Sequence, residues 1–391
     1  MKYDFDERVD RTNSNSIKYD FAVERGKPAD ILPLWVADMD FRAPMEVIER
    51  MEQDLELGIF GYSEGKPAYF DALYHWYKEN FHWEIQKNWL VKTPGVVFAV
   101  TTAIRAFTRE GDAVLIQQPV YYPFGESIRD NKRQVINSPL VLVEGHYQMD
   151  FEDFENKIIE NKVKLFILCS PHNPVGRVWT KEELSKVGEI CLKYQVIIVS
   201  DEIHSDFTYN GYEHTVIANI DERFAPITIT CTAPSKTFNL AGLQISNVFI
   251  SNRELKSKFV SALKRTGYSQ VGMLGVSACQ AAYENGREWL DELKQYLTGN
   301  LTYIREYLLE NIPQIKLIEP EGTYLLWLDF RELEMTEQER ENLIVNKAKL
   351  WLDSGVMFGK DGEGFERINI ACPRATLRIA MESLKKAMDE Q

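Results

Sequence analysis

An amine, a carboxylate, an amide and an aromatic ring stand at the ends of successive apolar runs of this chain. The amine is Lys236, in Cys231-Thr-Ala-Pro-Ser-Lys-Thr-Phe-Asn-Leu-Ala-Gly242. An ordinary lysine is a hydrated cation. One held in a desolvated pocket or beside other positive charge loses its proton and becomes a nucleophile or a base. Following the β-branched run Ile227–Cys231, with Ser235 and Thr237 on either side, Lys236 is placed to offer its amine to an aldehyde. The carboxylate is Asp201, in Ser200-Asp-Glu-Ile-His204, and the amide is Asn173, in Ser170-Pro-His-Asn-Pro-Val-Gly176. The ring is Tyr121, in Pro119-Val-Tyr-Tyr-Pro-Phe124. Each motif alone is weak, because most such lysines and paired acids are solvated and a proline-rich turn needs no ligand. Their convergence is the stronger signal.

Bringing them together requires a sheet. The runs Ala113–Gln117, Val163–Cys169, Val196–Ser200 and Ile227–Cys231 read as strands buried on both faces, with helical stretches between them. One helix opens at Thr180 with Glu183 three residues on, the capping-box pattern. This alternation predicts an α/β fold with a mostly parallel, seven-stranded-type sheet flanked by helices. In such sheets ligands bind beyond the carboxyl ends of the strands, where all four groups fall. Thr93-Pro-Gly-Val-Val97 precedes a predicted helix at Phe98–Arg109, so the backbone N–H groups of Gly95, Val96 and Val97 would face an anion. The set suits pyridoxal phosphate. Lys236 would hold the aldehyde, Asp201 would keep the pyridine nitrogen protonated, Asn173 would donate to the phenolate oxygen, and Tyr121 would stack on the ring.

The remaining chain divides into an N-terminal arm (1–45, contributing to a small domain), a large domain (46–285) and a small α+β domain (286–391). Helices are expected at 286–311 and 338–355, with a strand near Gly322–Leu328. The arm, with Pro28, Pro33 and Pro44, reads as extended. Gly359–Gly364 follows no strand and opens no helix, so it reads as a flexible loop rather than a nucleotide site. A net charge of −14 over 391 residues argues against nucleic acid as a partner. No apolar run approaches the length of a membrane helix, and the N-terminus lacks the apolar core of a secretory signal. Five scattered cysteines without Cys-x-x-Cys spacing read as buried thiols, and six histidines show no metal-ligand spacing. A cytoplasmic, metal-free enzyme is expected.

In order and spacing, the motifs resemble the class I/II pyridoxal-phosphate aminotransferases of fold type I, over about residues 8–385. The resemblance implies that Lys236 is the Schiff-base lysine, Asp201 the partner of the pyridine nitrogen and Asn173 the phenolate-side amide. It further implies a phosphate loop at Gly95, Val96 and Val97 helped by Ser235. Arg367 would clamp a substrate α-carboxylate together with Asn173 and Tyr121, with Arg374 as the fallback. Leu32-Pro-Leu-Trp-Val-Ala-Asp-Met-Asp-Phe41, Gly58-Ile-Phe-Gly-Tyr62 and Asn239-Leu-Ala-Gly242 are similar to the MalY/PatB-type C–S β-lyases (cystathionine β-lyases) within that family. That branch implies α,β-elimination from cystathionine or another cysteine S-conjugate to a thiol, pyruvate and ammonia. It also implies a homodimer in which Tyr62 reaches the neighbouring subunit's cofactor phosphate, and a substrate pocket lined from the arm, with Trp35 and Met39 as candidates. Two positions depart from the wider family: Gln244 stands where a phosphate-binding arginine is usual, and His204 where many have tyrosine. The competing expectations are an aminotransferase, which would use the same cofactor residues, and a regulatory binding protein. Regulators of this fold carry a basic helix-turn-helix domain ahead of it, whereas this chain opens on the arm and is acidic.

Overall fold

β-branched and aliphatic runs with no polar face are buried on both sides, and here they form the middle of a seven-stranded sheet. A computed structural model describes residues 2–390. The strands are β1 (Leu90–Thr93), β2 (Ala113–Ile116), β3 (Gln134–Asn137), β4 (Leu165–Cys169), β5 (Ile197–Asp201), β6 (Thr228–Thr232) and β7 (Ser246–Phe249), in spatial order β1-β7-β6-β5-β4-β2-β3. Only β7 runs antiparallel to its neighbours. The side chains of β2, β4 and β6 are buried throughout. Fully burying each Val, Leu or Ile is worth about 1.5–3 kcal/mol, so the central strands anchor the fold.

Helices cover both faces. They include α1 (Met45–Glu56), α2 (Pro67–Phe81), α3 (Val96–Phe107), α4 (Lys181–Tyr194), α5 (Met273–Asn285) and α6 (Arg287–Asn311). The expected capping box opens α4: Thr180 Oγ1 accepts from the Glu183 N–H at 3.2 Å, and Glu183 Oε2 accepts from the Thr180 N–H at 2.8 Å. Helix α3 starts two residues before the predicted Phe98, so the N–H groups of Val96 and Val97 fall in its first turn.

A second sheet of four strands, β8 (Lys316–Ile318), β9 (Leu325–Asp329), β10 (Asp353–Ser354) and β11 (Phe365–Asn369), lies in order β8-β9-β11-β10. The expected helix over 338–355 is overturned here. Helical structure ends at Lys347, Lys349 turns left-handed (φ 56°), and Leu350–Trp351 pairs in parallel with Leu32–Pro33 of the arm. The apolar run Leu350-Trp-Leu352 continues a helical pattern in sequence, and only the arm strand beside it makes it extended. The arm is also less extended than expected, because residues 16–26 fold into successive turns. The cause is charge: buried Lys18 donates to Asp40 at 2.8 Å, and Arg11 bridges Asp38 (2.6 Å) and Asp40 (2.7 Å). Residues 355–362 form a close-packed pair of 3₁₀ turns rather than a loose loop. A Cβ on Gly355 would sit 2.0 Å from the Gly362 carbonyl oxygen.

Candidate active site

β4, β5 and β6 end side by side, and their register places Cys169, Asp201 and Cys231 abreast. Beyond these ends a cavity of about 450 Å³ is lined by Gly95, Val96, Val97, Tyr121, Asn173, Asp201, His204, Ser235 and Lys236, with Gln244 at its edge. A larger cleft of about 570 Å³ opens elsewhere, among Asn80, Lys181, Asp206, His214 and Lys294. Its buried acid and imidazole are already committed: His214 pairs with Glu202 at 2.8 Å, and Asp206 accepts from Trp76 and Thr237. The smaller cavity is the one that gathers the candidate amine, carboxylate and amide.

Lys236 lies in the short helical turn Pro234–Thr237 that follows β6. Its ammonium donates to the Ala37 carbonyl at 2.7 Å, and the Tyr324 hydroxyl donates to the same oxygen at 2.9 Å. Burial, and then the charge of Arg367, pull its pKa down to about 8. Asp201 is pushed the other way, up to about 7, because it is buried and only the Ile203 N–H, at 3.1 Å, and Lys236 favour its charge. Burial and the nearby cations Lys236 and Arg367 hold His204 well below its usual range, so its imidazole is neutral; its buried Nδ1 has no partner among the described residues.

The lowered lysine gives a direct expectation. In cofactor-free protein, acylation of Lys236 by a small activated acyl donor should reach half its plateau rate near pH 8, whereas surface lysines titrate about two units higher. Mass spectrometry of the labelled peptides would read this out. A Lys236 midpoint matching the surface lysines would contradict the desolvated environment.

Arg367 is buried on β11, its guanidinium 4.9 Å over the Phe358 ring. It donates to Asn173 Oδ1 at 3.0 Å, to the Trp35 carbonyl at 2.8 Å and to Asp353, its cross-strand neighbour on β10. An arginine has only donors, so Asn173 must turn its oxygen toward Arg367, and its amide N–H₂ is left for the cavity. Arg374 goes elsewhere: it bonds Asn300 Oδ1 and packs on Tyr296 and Tyr303, so the fallback is removed. Of the two arm candidates, Met39 is buried in the core, away from the cavity lining. Trp35 instead stacks on Trp351, 4.4 Å between ring centroids. Tyr62 is 96% exposed and outside the cavity of its own chain.

Several participants carry no local sequence signal: Ala37 acts through its backbone carbonyl, as does Trp35, expected only as a pocket-lining ring, and Asp353 falls inside the stretch expected to be helical. Asn239 was noted only as part of a motif. In the fold it is a clamp: its side chain accepts from the Met39 N–H at 2.9 Å and donates to the Met39 and Phe41 carbonyls. Asn369 donates its amide N–H groups to the Val36 and Asp38 carbonyls, so residues 36–41 form a strap pinned beside Lys236.

The donor set fits pyridoxal phosphate. The first N–H groups of α3 have no side-chain cap, and a Cβ on Gly95 would meet no protein atom within 4 Å, so an anion has both donors and room. Ser235 adds a hydroxyl. Lys236, Asp201 and the Asn173 amide supply the amine, carboxylate and donor the ring requires.

Comparison with known proteins agrees with this geometry. The sequence model of the family "Aminotransferase class I and II" matches residues 29–384. The cystathionine beta-lyase PatB of Bacillus subtilis (strain 168) is 42% identical over 98% of this chain and 99% of its own. The protein MalY of Escherichia coli (strain K12) is 33% identical over 99% of both. Among solved structures, cystalysin from Treponema denticola, which contains a pyridoxal 5'-phosphate cofactor, superposes over the whole of both chains with a TM-score of 0.96 at 40% identity. The chain belongs to the class I and II aminotransferase family, and within it to the branch of MalY and PatB.

Proposed function

We propose that this protein is a pyridoxal-phosphate-dependent C–S β-lyase that converts a cysteine S-conjugate and water to a thiol, pyruvate and ammonia. The observation that carries the reading is end-to-end likeness to PatB, joined to a cavity whose lining suits the cofactor. When bound, pyridoxal phosphate supplies the electron sink for the pair left at the substrate α-carbon. The chain's residues do the rest. Arg367 binds the α-carboxylate, and the Asn173 amide donates to the ring oxygen. Asp201 keeps a proton at the pyridine nitrogen. Lys236, with its pKa near 8, takes the α-proton at working pH. The thiolate then departs from the β-carbon. The Ala37 carbonyl holds the Lys236 amine in place.

Incubation of the holoenzyme with cystathionine, with and without an added 2-oxo acid, tests this. Thiol and pyruvate formed without the acceptor are expected. Amino-group transfer that needs the acceptor, with no thiol, would identify an aminotransferase instead.

We further place the enzyme in a homodimer. Leu57, Ile59, Phe60 and Tyr62 are 68–96% exposed in the irregular segment between α1 and α2, an apolar patch that favours a partner surface. Tyr62 on this patch would serve the neighbouring site. Mixing and refolding the inactive variants Lys236→Ala and Tyr62→Ala should then regenerate about a quarter of wild-type sites, since half the dimers are mixed and each holds one intact site. No recovery would place Tyr62 at its own subunit's site and overturn the shared-site reading. Among the described residues no helix is long and apolar enough to cross a membrane. The five cysteines are buried and unpaired, which suits a reducing, cytoplasmic setting.

A further inference from the structure

The buried acid of the larger cleft has its partner in the turn that carries the lysine. Asp206 closes the segment Asp201-Glu-Ile-His-Ser-Asp206, which leaves β5 with the pyridine-side carboxylate at its first position. The segment is tightly held. The Ser205 N–H donates to the Glu202 carbonyl at 3.0 Å, the Phe207 N–H to that of His204 at 2.9 Å, and the Glu202 N–H to the Cys231 carbonyl of β6 at 2.9 Å. At the far end, Asp206 Oδ2 accepts from Thr237 Oγ1 at 2.7 Å, and Thr237 directly follows Lys236. Its other oxygen accepts from the Trp76 indole N–H at 3.0 Å. The Trp76 ring in turn meets that of Phe238, the next residue along, edge-on at 5.4 Å. Asp206 and Thr237 are both buried, and neither lines the cofactor cavity. The turn is therefore gripped from outside the site it serves.

We infer that Asp206 is a positioning residue for the reaction: through Thr237 it holds the turn of Lys236 in register with Asp201. One short segment then sets both the carboxylate for the ring nitrogen and the amine that moves the α-proton. The need follows from the lysine itself. Its four-carbon stem is flexible, and its amine has a single hydrogen bond, to the Ala37 carbonyl, so its place depends on where its backbone is held. Both oxygens of Asp206 accept, as an ionised carboxylate does, and a charged acceptor makes the Thr237 contact stronger than a neutral one. The inference rests on the reading of Lys236 as the base.

The test uses two substitutions at one position. Thr237→Val matches the shape of the side chain and removes the hydroxyl, and Thr237→Ser keeps the hydroxyl. In the holoenzyme, Thr237→Val should lower kcat for thiol release from cystathionine on the order of 10²-fold with KM nearly unchanged, the scale of a misplaced catalytic group. Thr237→Ser should retain most of the activity. In cofactor-free protein, the midpoint of Lys236 acylation should rise from near pH 8 toward that of surface lysines in Thr237→Val and stay in Thr237→Ser. Trp76→Phe removes the other hydrogen bond to the same carboxylate and reports the cost to the fold. Its melting temperature should fall, with kcat and the acylation midpoint kept. Equal losses of kcat in Trp76→Phe and Thr237→Val would mean that Asp206 serves the fold alone and would overturn the assignment. Should Thr237→Val not fold, Asp206→Asn takes its place, because the amide keeps an oxygen for Trp76. A fall in kcat of about tenfold, the worth of one hydrogen bond to a charged group, is then expected with the raised midpoint, and neither change would overturn the assignment. Thiol release with kcat and midpoint unmoved in Thr237→Val would overturn the anchor and leave the lyase reading standing. A midpoint that moves in a protein whose wild type releases no thiol would keep the anchor and sink the lyase reading.

Discussion

Lys236→Ala is expected to lower thiol release from cysteine S-conjugates on the order of 10⁴-fold, the upper range for loss of a positioned general base, while the protein stays folded. The visible absorption that comes from the lysine-linked cofactor should vanish with it. The expectation follows from the environment of the amine. Lys236 is held by one hydrogen bond, to the Ala37 carbonyl, and its charge is disfavoured by burial and by Arg367. Lys236→Arg should restore nothing, because a guanidinium stays protonated and cannot take the α-proton. A small external amine such as methylamine should recover part of the activity of Lys236→Ala but not of Lys236→Arg. Activity of Lys236→Ala within tenfold of wild type would sink the assignment.

Stability should move in a direction set by the same pKa. The folded value, about 8, lies below that of an unfolded lysine, so burying the charged amine costs stability wherever it is protonated. That cost is fully present below about pH 8 and disappears as pH rises toward the unfolded value near 10. Cofactor-free wild-type protein should therefore gain stability between about pH 8 and pH 10 relative to Lys236→Ala, and the variant should melt no lower than wild type at neutral pH.

The parts of this site that were legible in sequence share one property: each is a polar residue that breaks an apolar run at a strand end. Asp201 follows Ile-Ile-Val-Ser, and Asn173 and Lys236 lie four residues beyond β4 and β6, where the sheet rule places ligands. The α3 N-terminus was legible through its glycine, although the helix begins earlier than its apolar pattern suggested. What stayed hidden depends on contacts that no local pattern records. A carbonyl such as that of Ala37 has no side-chain signature, and the Asn239 clamp joins segments 200 residues apart. Asp353 lies in a stretch whose apolar spacing suits a helix equally well, and only the β10–β11 register brings it against Arg367. The role proposed for Tyr62 depends on a second chain, which no local pattern of one chain records.

Arg367→Met should split binding from stability in a way that exposes Asp353. Loss of the guanidinium removes the carboxylate receptor, so KM for a cysteine S-conjugate should rise on the order of 10²-fold, the worth of a charge-assisted, bidentate contact. The same change leaves Asp353 buried beside no cation, and breaking a buried pair from one side costs about 3–5 kcal/mol. Burial already raises the Asp353 pKa, with Arg367 as the opposing influence, so without Arg367 the carboxyl binds its proton more tightly still. A raised folded pKa means the variant is least harmed at low pH, where Asp353 is neutral, and loses stability as pH rises and the buried carboxyl must ionise. Melting of Arg367→Met should therefore fall further below wild type at pH 8 than at pH 5. Adding Asp353→Leu removes the stranded charge and should recover most of the lost melting temperature with no recovery of KM. Recovery of both would mean that Arg367 serves the fold alone. Recovery of neither would mean that Asp353 is no longer the group left unpaired, and the Arg367–Asp353 pairing would then not explain why this arginine is held ready for a carboxylate.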